Sequence, residues 1–191
     1  MIIGITGGTG AGKTTALKVL RSYGAVVIDC DRVYHELLET SEAMLDELCE
    51  SFPDAFEGEV FDRKKLGSIV FSDADALENL NSITGKYVVW RVAELSNNAK
   101  LSAVDAIRLV ESGLSDICDC TVCVVAPKEL RTERIMQRDG LSREYAELRI
   151  NAQKPDEFYM SNCSYTLVND GDEGIFREKC EKLFSDIIGG I

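Results

Sequence analysis

A glycine-rich segment near the start of the sequence has the spacing of a phosphate-binding loop. It reads Gly-x-x-x-x-Gly-Lys-Thr from Gly7 to Thr14, between a short apolar run and a helical pattern. Glycines allow positive φ values, so that successive backbone N–H groups can approach phosphate oxygens. Lys13 can then reach the terminal phosphates of a nucleoside triphosphate, and the Thr14 hydroxyl can coordinate Mg²⁺. The predicted nucleotide-binding residues are Gly8, Thr9, Gly10, Ala11, Gly12, Lys13, Thr14 and Thr15.

Other motifs restrict the class of phosphate-loop protein. The sequence contains neither Asn-Lys-x-Asp nor Thr-Lys-x-Asp, the motifs that recognise guanine. Its only Asp-x-x-Gly, from Asp186 to Gly189, lies in the C-terminal tail, where no nucleotide-sensing switch is expected. The Leu-Ser-Gly-Gly signature of transporter ATPases is also absent. These observations disfavour a GTPase and a transporter ATPase, and they favour a small-molecule kinase that uses ATP.

Three carboxylates follow predicted strands, at the edge of a sheet where ligands bind. Asp29 and Asp31 end the second strand, and an extended chain would point both toward the phosphate loop beside it. Asp31 can accept the proton of an attacking hydroxyl or position that hydroxyl, and Asp29 can support a metal. Either one can instead cap the next helix. Asp105, after the third strand, can hold a metal-bound water or be a strand-end carboxylate without a catalytic role. His35 lies one helical turn after Asp31 and is a candidate substrate contact, with a surface or packing role as the alternative.

Basic residues are concentrated late in the chain. Residues 128–154 contain seven basic and five acidic residues, whereas the whole chain has a net charge of -12. Arg131, Arg134 and Arg138 share one face of a predicted helix. Arg138, beside an Asp-Gly turn, is predicted to bind the charge of the transferring phosphoryl group when a lid closes. Arg131 is expected to face solvent, and a solvated face with ion pairs is the alternative for the group.

Apolar runs alternate with helical patterns and predict an α/β fold of the phosphate-loop NTPase type. It consists of a parallel sheet of about five strands with helices on both faces, a helical substrate lobe and a lid. We predict a single kinase domain, residues 1–191, with the substrate-binding insertion at about 32–100 and the lid at about 128–158. Predicted strands cover residues 1–5, 25–28, 103–107, 121–125 and 165–168, and the later helices cover 127–138, 142–153 and 173–188. Trp90 is expected in the core.

Composition excludes several other classes of protein. With 191 residues, 45% of them apolar, the chain is long enough to bury a core. The net negative charge argues against nucleic acid or a membrane as a partner, and no apolar run is long enough to span a membrane. Seven cysteines, an odd number, favour a reducing cytoplasmic location. Cys118, Cys120 and Cys123 lack an evident fourth ligand for zinc, so a metal site is disfavoured there.

Taken together, these segments resemble the dephospho-coenzyme A kinase family over nearly the whole chain. The segments are Thr6 to Thr15, Val27 to Asp31 with Val33, His35 and Leu37, Phe61 to Leu66, Val70 to Asp73, Leu80 to Thr84, Glu111 to Leu114, Arg138 to Gln153, and Asn169 to Gly171. The resemblance implies ATP-dependent phosphorylation of the ribose 3′-hydroxyl of dephospho-coenzyme A. It places Asp31 at the position of the base. We accordingly predict Asp31, Lys13 and Arg138 as catalytic residues, Asp31, His35, Arg63 and Lys64 as substrate-binding residues, and Thr14 and Asp105 as metal ligands.

Two segments depart from the pattern of that family. Gly85-Lys86 stands where the family has His-Pro, and Ile107-Arg108 replaces Pro-Leu in the segment after Asp105. Both departures fall on the acceptor side, so the sequence specifies the phosphoryl donor better than the acceptor. A nucleoside or nucleotide kinase of the same fold, another small-molecule kinase, and a non-catalytic regulator that binds ATP remain as alternatives.

Overall fold

A computed structural model describes residues 1–58 and 60–190. The chain forms two compact units. The first consists of Met1–Asp29 with Leu95–Ile191, and the second is Cys30–Glu94. Strands and helices are numbered along the whole chain, so the first unit contains β1, β2 and β5 to β7.

The first unit is built on a five-stranded parallel sheet. Its strands are β1 (Ile2–Thr6), β2 (Val26–Asp29), β5 (Ser102–Asp105), β6 (Cys120–Val125) and β7 (Tyr165–Val168). Their order across the sheet is β2-β5-β1-β6-β7. All four neighbouring pairs are parallel. The sheet confirms the predicted fold class, with β1 at its centre.

Helices cover both faces of this sheet. They are α1 (Lys13–Ser22), α6 (Lys128–Asp139), α7 (Arg143–Asn151), α8 (Asp156–Asn162) and α9 (Glu173–Gly189). Successive residues of a strand point to opposite faces. Val122 and Val124 of β6 accordingly join a buried cluster with α1 and α9, which includes Phe176 and Phe184. Cys123 instead packs on the other face with Tyr159 of α8.

The second unit is mostly helical. Its elements are α2 (Cys30–Thr40), α3 (Glu42–Ser51), β3 (Phe56–Glu57), β4 (Val60–Phe61), α4 (Arg63–Val70) and α5 (Ala74–Asn97), whose last residues belong to the first unit. Strands β3 and β4 pair antiparallel, which the sequence did not predict. Lys86 forms an ion pair with Glu47 of α3, and the Tyr87 hydroxyl donates to the Ala43 carbonyl at 2.9 Å. The departure at Gly85-Lys86 therefore contributes a contact between α3 and α5.

One detail of the helical region differs from expectation. Trp90 is 64% exposed, so the prediction that it lies in the core is wrong. The reason is helical geometry: Val88 and Val92 are buried, and Trp90 lies two residues from each, roughly 200° around α5. Within residues 1–58 and 60–190, no helix is long and apolar enough to cross a membrane.

Candidate active site

The phosphate loop connects β1 to α1, as predicted. Gly7, Gly10 and Gly12 have φ values of 129°, 80° and 110°, which favour glycine over any residue with a side chain. A Cβ on Gly7 would also overlap the carbonyl oxygen of Val124 in β6. Helix α1 begins at Lys13, and its first turn contains no acidic residue. The positive end of the helix dipole at this terminus therefore favours an anion.

Three side chains hold the carbonyl groups of the loop. Arg131 Nε donates to Thr9 O at 2.9 Å, Arg134 Nη1 to Gly10 O at 3.3 Å, and Asn169 Nδ2 to Ala11 O at 2.7 Å. Because the C=O of one residue and the N–H of the next point in opposite directions across a planar peptide, the N–H groups of Gly10 and Gly12 face away from these donors. The loop thus presents donors on one side and is anchored on the other.

Lys13 lies across the loop that it follows. Its Nζ donates to Gly7 O at 2.8 Å, so the ammonium group lies against the first residue of the loop. Thr14, the next residue, is exposed at the start of α1. Their roles in binding phosphate and Mg²⁺ stay predictions.

Arg131 is buried, not solvent-facing as predicted. Only 4% of it is exposed, and its guanidinium forms an ion pair with Asp156 at 3.0 Å and a hydrogen bond to Gln153 at 3.1 Å. The reason is its position four residues before Ile135, which is fully buried, so that both lie on the same face of α6. The face of α6 that contains Arg131 and Arg134 thus packs on the phosphate loop.

Gln153 and Asn169 are functional candidates that the sequence did not single out. Gln153 binds Thr9 through both ends of its amide. Asn169 is 5% exposed and also accepts from Arg134 Nη2 at 3.2 Å. The sequence could have indicated Asn169, because this residue directly follows a predicted strand, at the carboxyl edge of the sheet where polar residues bind ligands.

The carboxylates occupy positions that differ partly from expectation. Strand β5 lies between β1 and β2, so β2 does not border the strand that leads into the loop. Asp105 is aligned with Ile5 of β1 on one side and with Asp29 on the other. Asp29 and Asp31 do not share an extended segment, because α2 begins at Cys30 and includes Asp31 in its first turn. Of the three carboxylates predicted from the sequence, Asp105 is therefore the one on a strand that borders β1.

The candidate residues of the second unit are on its surface. Asp31 and His35 are exposed on α2, where the rings of His35 and Tyr34 are 5.6 Å apart. Arg63 and Lys64 begin α4 and line a pocket of about 460 Å³ with Phe61. Asp62 caps that helix, and the hydrogen bond from the Lys65 N–H, supported by that from Lys64, lowers the pKa of its carboxyl group. The cap fixes the start of the helix at the two basic residues.

Arg138 is exposed near the end of α6. Its guanidinium pairs with Asp139 at 2.7 Å, and Asp139 also pairs with Arg149 of α7 at 2.8 Å. The side chain of Arg138 is 60% exposed, so a bound anion can compete with Asp139 for it. On α6, Arg138 lies seven residues, about two helical turns, after Arg131.

A small pocket adjoins the phosphate loop. It has a volume of about 260 Å³, and its lining residues are Gly12, Thr15, Arg134, Asn169, Glu173 and Phe176. The pocket combines an aromatic ring, a guanidinium group and polar side chains next to the start of α1. This combination suits a flat heterocycle attached to a phosphate chain.

Comparisons with known proteins agree with this geometry. A family model described as dephospho-CoA kinase matches residues 1–174. The dephospho-CoA kinase of Anaeromyxobacter dehalogenans is 34% identical, with 99% of this chain and 93% of the relative covered. Two solved structures also match: TT1252 from Thermus thermophilus (33% identity, TM-score 0.79, 100% and 97% covered) and dephospho-CoA kinase from Campylobacter jejuni (28%, 0.69, 99% and 98%). Shikimate kinase from Acinetobacter baumannii, at 18% identity and TM-score 0.58, with 99% and 93% covered, shares the fold.

Proposed function

The chain belongs to the dephospho-CoA kinase family, and we propose that its phosphate loop binds ATP while Asp31 serves the acceptor hydroxyl. The enzyme is a phosphotransferase with an alcohol acceptor, and it uses ATP to convert dephospho-CoA to CoA. The observation that carries the assignment of the donor site is the anchored loop, in which the carbonyl groups of Thr9 and Ala11 are held by Arg131 and Asn169.

On the donor side, the loop supplies most of the binding. The N–H groups of Gly10 and Gly12 and the N-terminus of α1 donate to the phosphates. Lys13 exchanges the Gly7 carbonyl for a phosphate oxygen and remains beside the phosphoryl group that is transferred. The pocket of about 260 Å³ next to Thr15 takes the adenine, with the Arg134 guanidinium as a cationic partner.

Thr14 and Asp105 suit a Mg²⁺ ion only in company with the nucleotide. Within residues 1–58 and 60–190, no three His, Cys, Asp or Glu side chains form a group that could hold a metal. Mg²⁺ in kinases is normally held by one or two protein oxygens together with substrate phosphates, and a hydroxyl at the loop and a half-buried carboxylate on the adjacent strand fit that pattern. When bound, the ion neutralises charge on the phosphates.

On the acceptor side, Asp31 accepts the proton of the ribose 3′-hydroxyl as that oxygen attacks the terminal phosphorus. A new O–P bond forms, the bond to the bridging oxygen breaks, and ADP leaves. His35, Arg63 and Lys64, all in the Cys30–Glu94 unit, bind the rest of the acceptor, so this unit is the substrate lobe. Arg138, in the lid of about residues 128–158, binds the charge that develops on the transferring group.

The cellular setting follows from the substrates and the cysteines. No disulfide joins the cysteines within the part of the chain that the structure describes. Seven cysteines and a reaction that uses ATP suit a reducing compartment, and we propose the cytoplasm as its location. We propose small-molecule partners, since the net charge of -12 disfavours binding to nucleic acid or an anionic membrane.

The assignment is tested with purified protein, Mg²⁺, ATP and dephospho-CoA. Lys13→Ala abolishes CoA formation measured by mass spectrometry, and Asp31→Asn lowers kcat by about 10²- to 10⁴-fold. Lys18→Ala, at an exposed lysine of the same helix, and Asp46→Asn, at an exposed carboxylate of α3, are the matched controls and retain full activity. Loss of activity in the controls, or full activity in Asp31→Asn, contradicts the assigned roles.

A further inference from the structure

Thr9, at the tip of the phosphate loop, is held by two side chains through every polar group that it has. Its N–H donates to Gln153 Oε1 at 2.9 Å, and its hydroxyl oxygen accepts from Gln153 Nε2 at 2.7 Å. Its carbonyl oxygen accepts from Arg131 Nε at 2.9 Å. Thr9 is thus tied to the segment that follows β6 and is distinct from the residues whose N–H groups face a phosphate.

The Arg131 guanidinium is itself fixed from three directions. Nη1 pairs with Asp156 of α8, Nη2 donates to Gln153, and Nη2 also lies so close to Gly8 that a Cβ there would overlap it. A buried arginine is costly unless its donors are satisfied, and here each of its three side-chain nitrogens donates a hydrogen bond. Burial raises the pKa of the Asp156 carboxyl group, and the positive charge of Arg131 opposes that rise. Arg131 therefore favours the ionised form of Asp156, which is the form that pairs with it.

We infer that Arg131 and Gln153 are positioning residues that keep the tip of the phosphate loop in its nucleotide-binding conformation, and that Asp156 orients Arg131. The inference rests on the proposed role of the loop in binding ATP. A loop that is already ordered loses little conformational freedom when the nucleotide binds, whereas a released loop must be ordered by the nucleotide itself. The contacts therefore act on nucleotide affinity more than on the chemical step.

This division predicts a specific kinetic signature. Arg131→Met removes the guanidinium, and Gln153→Leu removes both amide contacts with Thr9 while leaving the Arg131–Asp156 pair in place. Each variant raises the KM for ATP by about 10- to 100-fold, as expected for losing charge-assisted or buried hydrogen bonds. The KM for dephospho-CoA and kcat stay within about threefold of wild type. Arg131→Lys keeps the positive charge but loses the branched guanidinium, so its KM for ATP lies between those of Arg131→Met and the wild-type protein.

Gly8→Ala offers an independent route to the same contact. The added methyl group displaces the Arg131 guanidinium without removing it, and Gly8 does not have a positive φ that would add backbone strain. If the methyl acts through Arg131, its effect on the KM for ATP is not additive with that of Arg131→Met. Arg143→Met is the matched control, because Arg143 is an exposed arginine of α7 that pairs with Glu129 at 2.6 Å.

Three measurements test the inference. Steady-state kinetics with each substrate varied in turn gives kcat and both KM values, calorimetry gives the affinity for ATP, and circular dichroism verifies folding. A KM for ATP within twofold of wild type in folded Gln153→Leu overturns the inference, and so does a parallel loss of kcat and of affinity for both substrates. If Arg131→Met does not fold, the KM values for ATP of Gln153→Leu and Gly8→Ala test the inference. Failure of the proposed ATP site is distinguishable, because calorimetry would then give the same ATP affinity for Lys13→Ala as for the wild-type protein.

Discussion

Asn169 shows how one buried amide can join separate parts of the nucleotide site. Its Nδ2 donates to Ala11 O at 2.7 Å in the phosphate loop, and its Oδ1 accepts from Arg134 of α6 at 3.2 Å. Its own N–H donates to Val125 O at the end of β6 at 2.8 Å. A side chain with both a donor and an acceptor is required, because the Ala11 carbonyl needs a donor and the guanidinium needs an acceptor.

Asn169→Asp replaces the donor with an oxygen that faces the Ala11 carbonyl. The unpaired carbonyl and the repulsion between two oxygens cost about 1–3 kcal/mol, so we expect the KM for ATP to rise by roughly 5- to 150-fold. Steady-state kinetics with ATP varied measures this change. The control is Asn162→Asp, at an exposed asparagine that donates to the Phe158 carbonyl at the end of α8. An unchanged KM in Asn169→Asp would contradict the role of the amide as an anchor.

For single residues, the spacing of a motif predicts which side chains can do chemistry better than it predicts which side chains they contact. The loop glycines and Lys13 could be predicted because the motif itself requires a strand before it and a helix after it. Spacing also placed Arg131 and Arg134 on one helical face, but it did not say that this face packs on the loop. Gln153 is 144 positions from Thr9 in the sequence, and nothing local to either residue encodes their contact.

At the element scale, the contact between α1 and α9 holds the helical layer on one face of the sheet. Phe176, Cys180 and Phe184 are spaced four residues apart on α9, and each is at most 1% exposed. They share a buried cluster with Ala16 and Leu20 of α1. Since α1 starts at the phosphate loop, the packing of α9 supports the helix whose N-terminus receives the phosphates.

Phe184→Ala tests that support, because it removes a fully buried ring and leaves a cavity. We expect the free energy of unfolding to fall by about 3–5 kcal/mol, as is typical for a phenylalanine deleted from a core. Urea unfolding followed by circular dichroism gives the value. Ile175→Ala, at a residue of α9 that is 56% exposed, serves as control and changes stability by less than about 0.5 kcal/mol. A comparable loss in both variants would show that α9 is not anchored through this face.

Element prediction succeeded where the hydrophobic period is clear. The five strands of the sheet are short apolar runs, and each was predicted within a few residues. Helix α8 was not predicted, because its seven residues place Phe158, Tyr159 and Met160 in succession and show no helical period. The pair β3 and β4 was missed for a similar reason, since two residues per strand are too few for an alternating pattern.

At the scale of the whole molecule, the charge of -12 and the anionic substrates are compatible because attraction is local. Several cations of residues 128–154 are already paired within the first unit: Arg131 with Asp156, Arg143 with Glu129 and Arg149 with Asp139. Long-range attraction of ATP by this segment is correspondingly weak. Binding depends on short contacts with backbone N–H groups and Lys13, which salt screens little.

ATP with Mg²⁺ should therefore stabilise the whole chain even at high salt. A ligand at 100 times its Kd adds about 2.7 kcal/mol to the free energy of unfolding, which corresponds to a rise in Tm of about 5–10 °C for a chain of this size. We expect thermal unfolding to show nearly the same rise at 50 and at 300 mM NaCl when the ATP concentration is held fixed at 100 times the Kd measured at 50 mM NaCl. Lys13→Ala loses the rise, whereas the exposed-site control Lys18→Ala keeps it. A rise that disappears at 300 mM NaCl under these conditions would mean that diffuse electrostatic attraction, and not the anchored loop, holds the nucleotide.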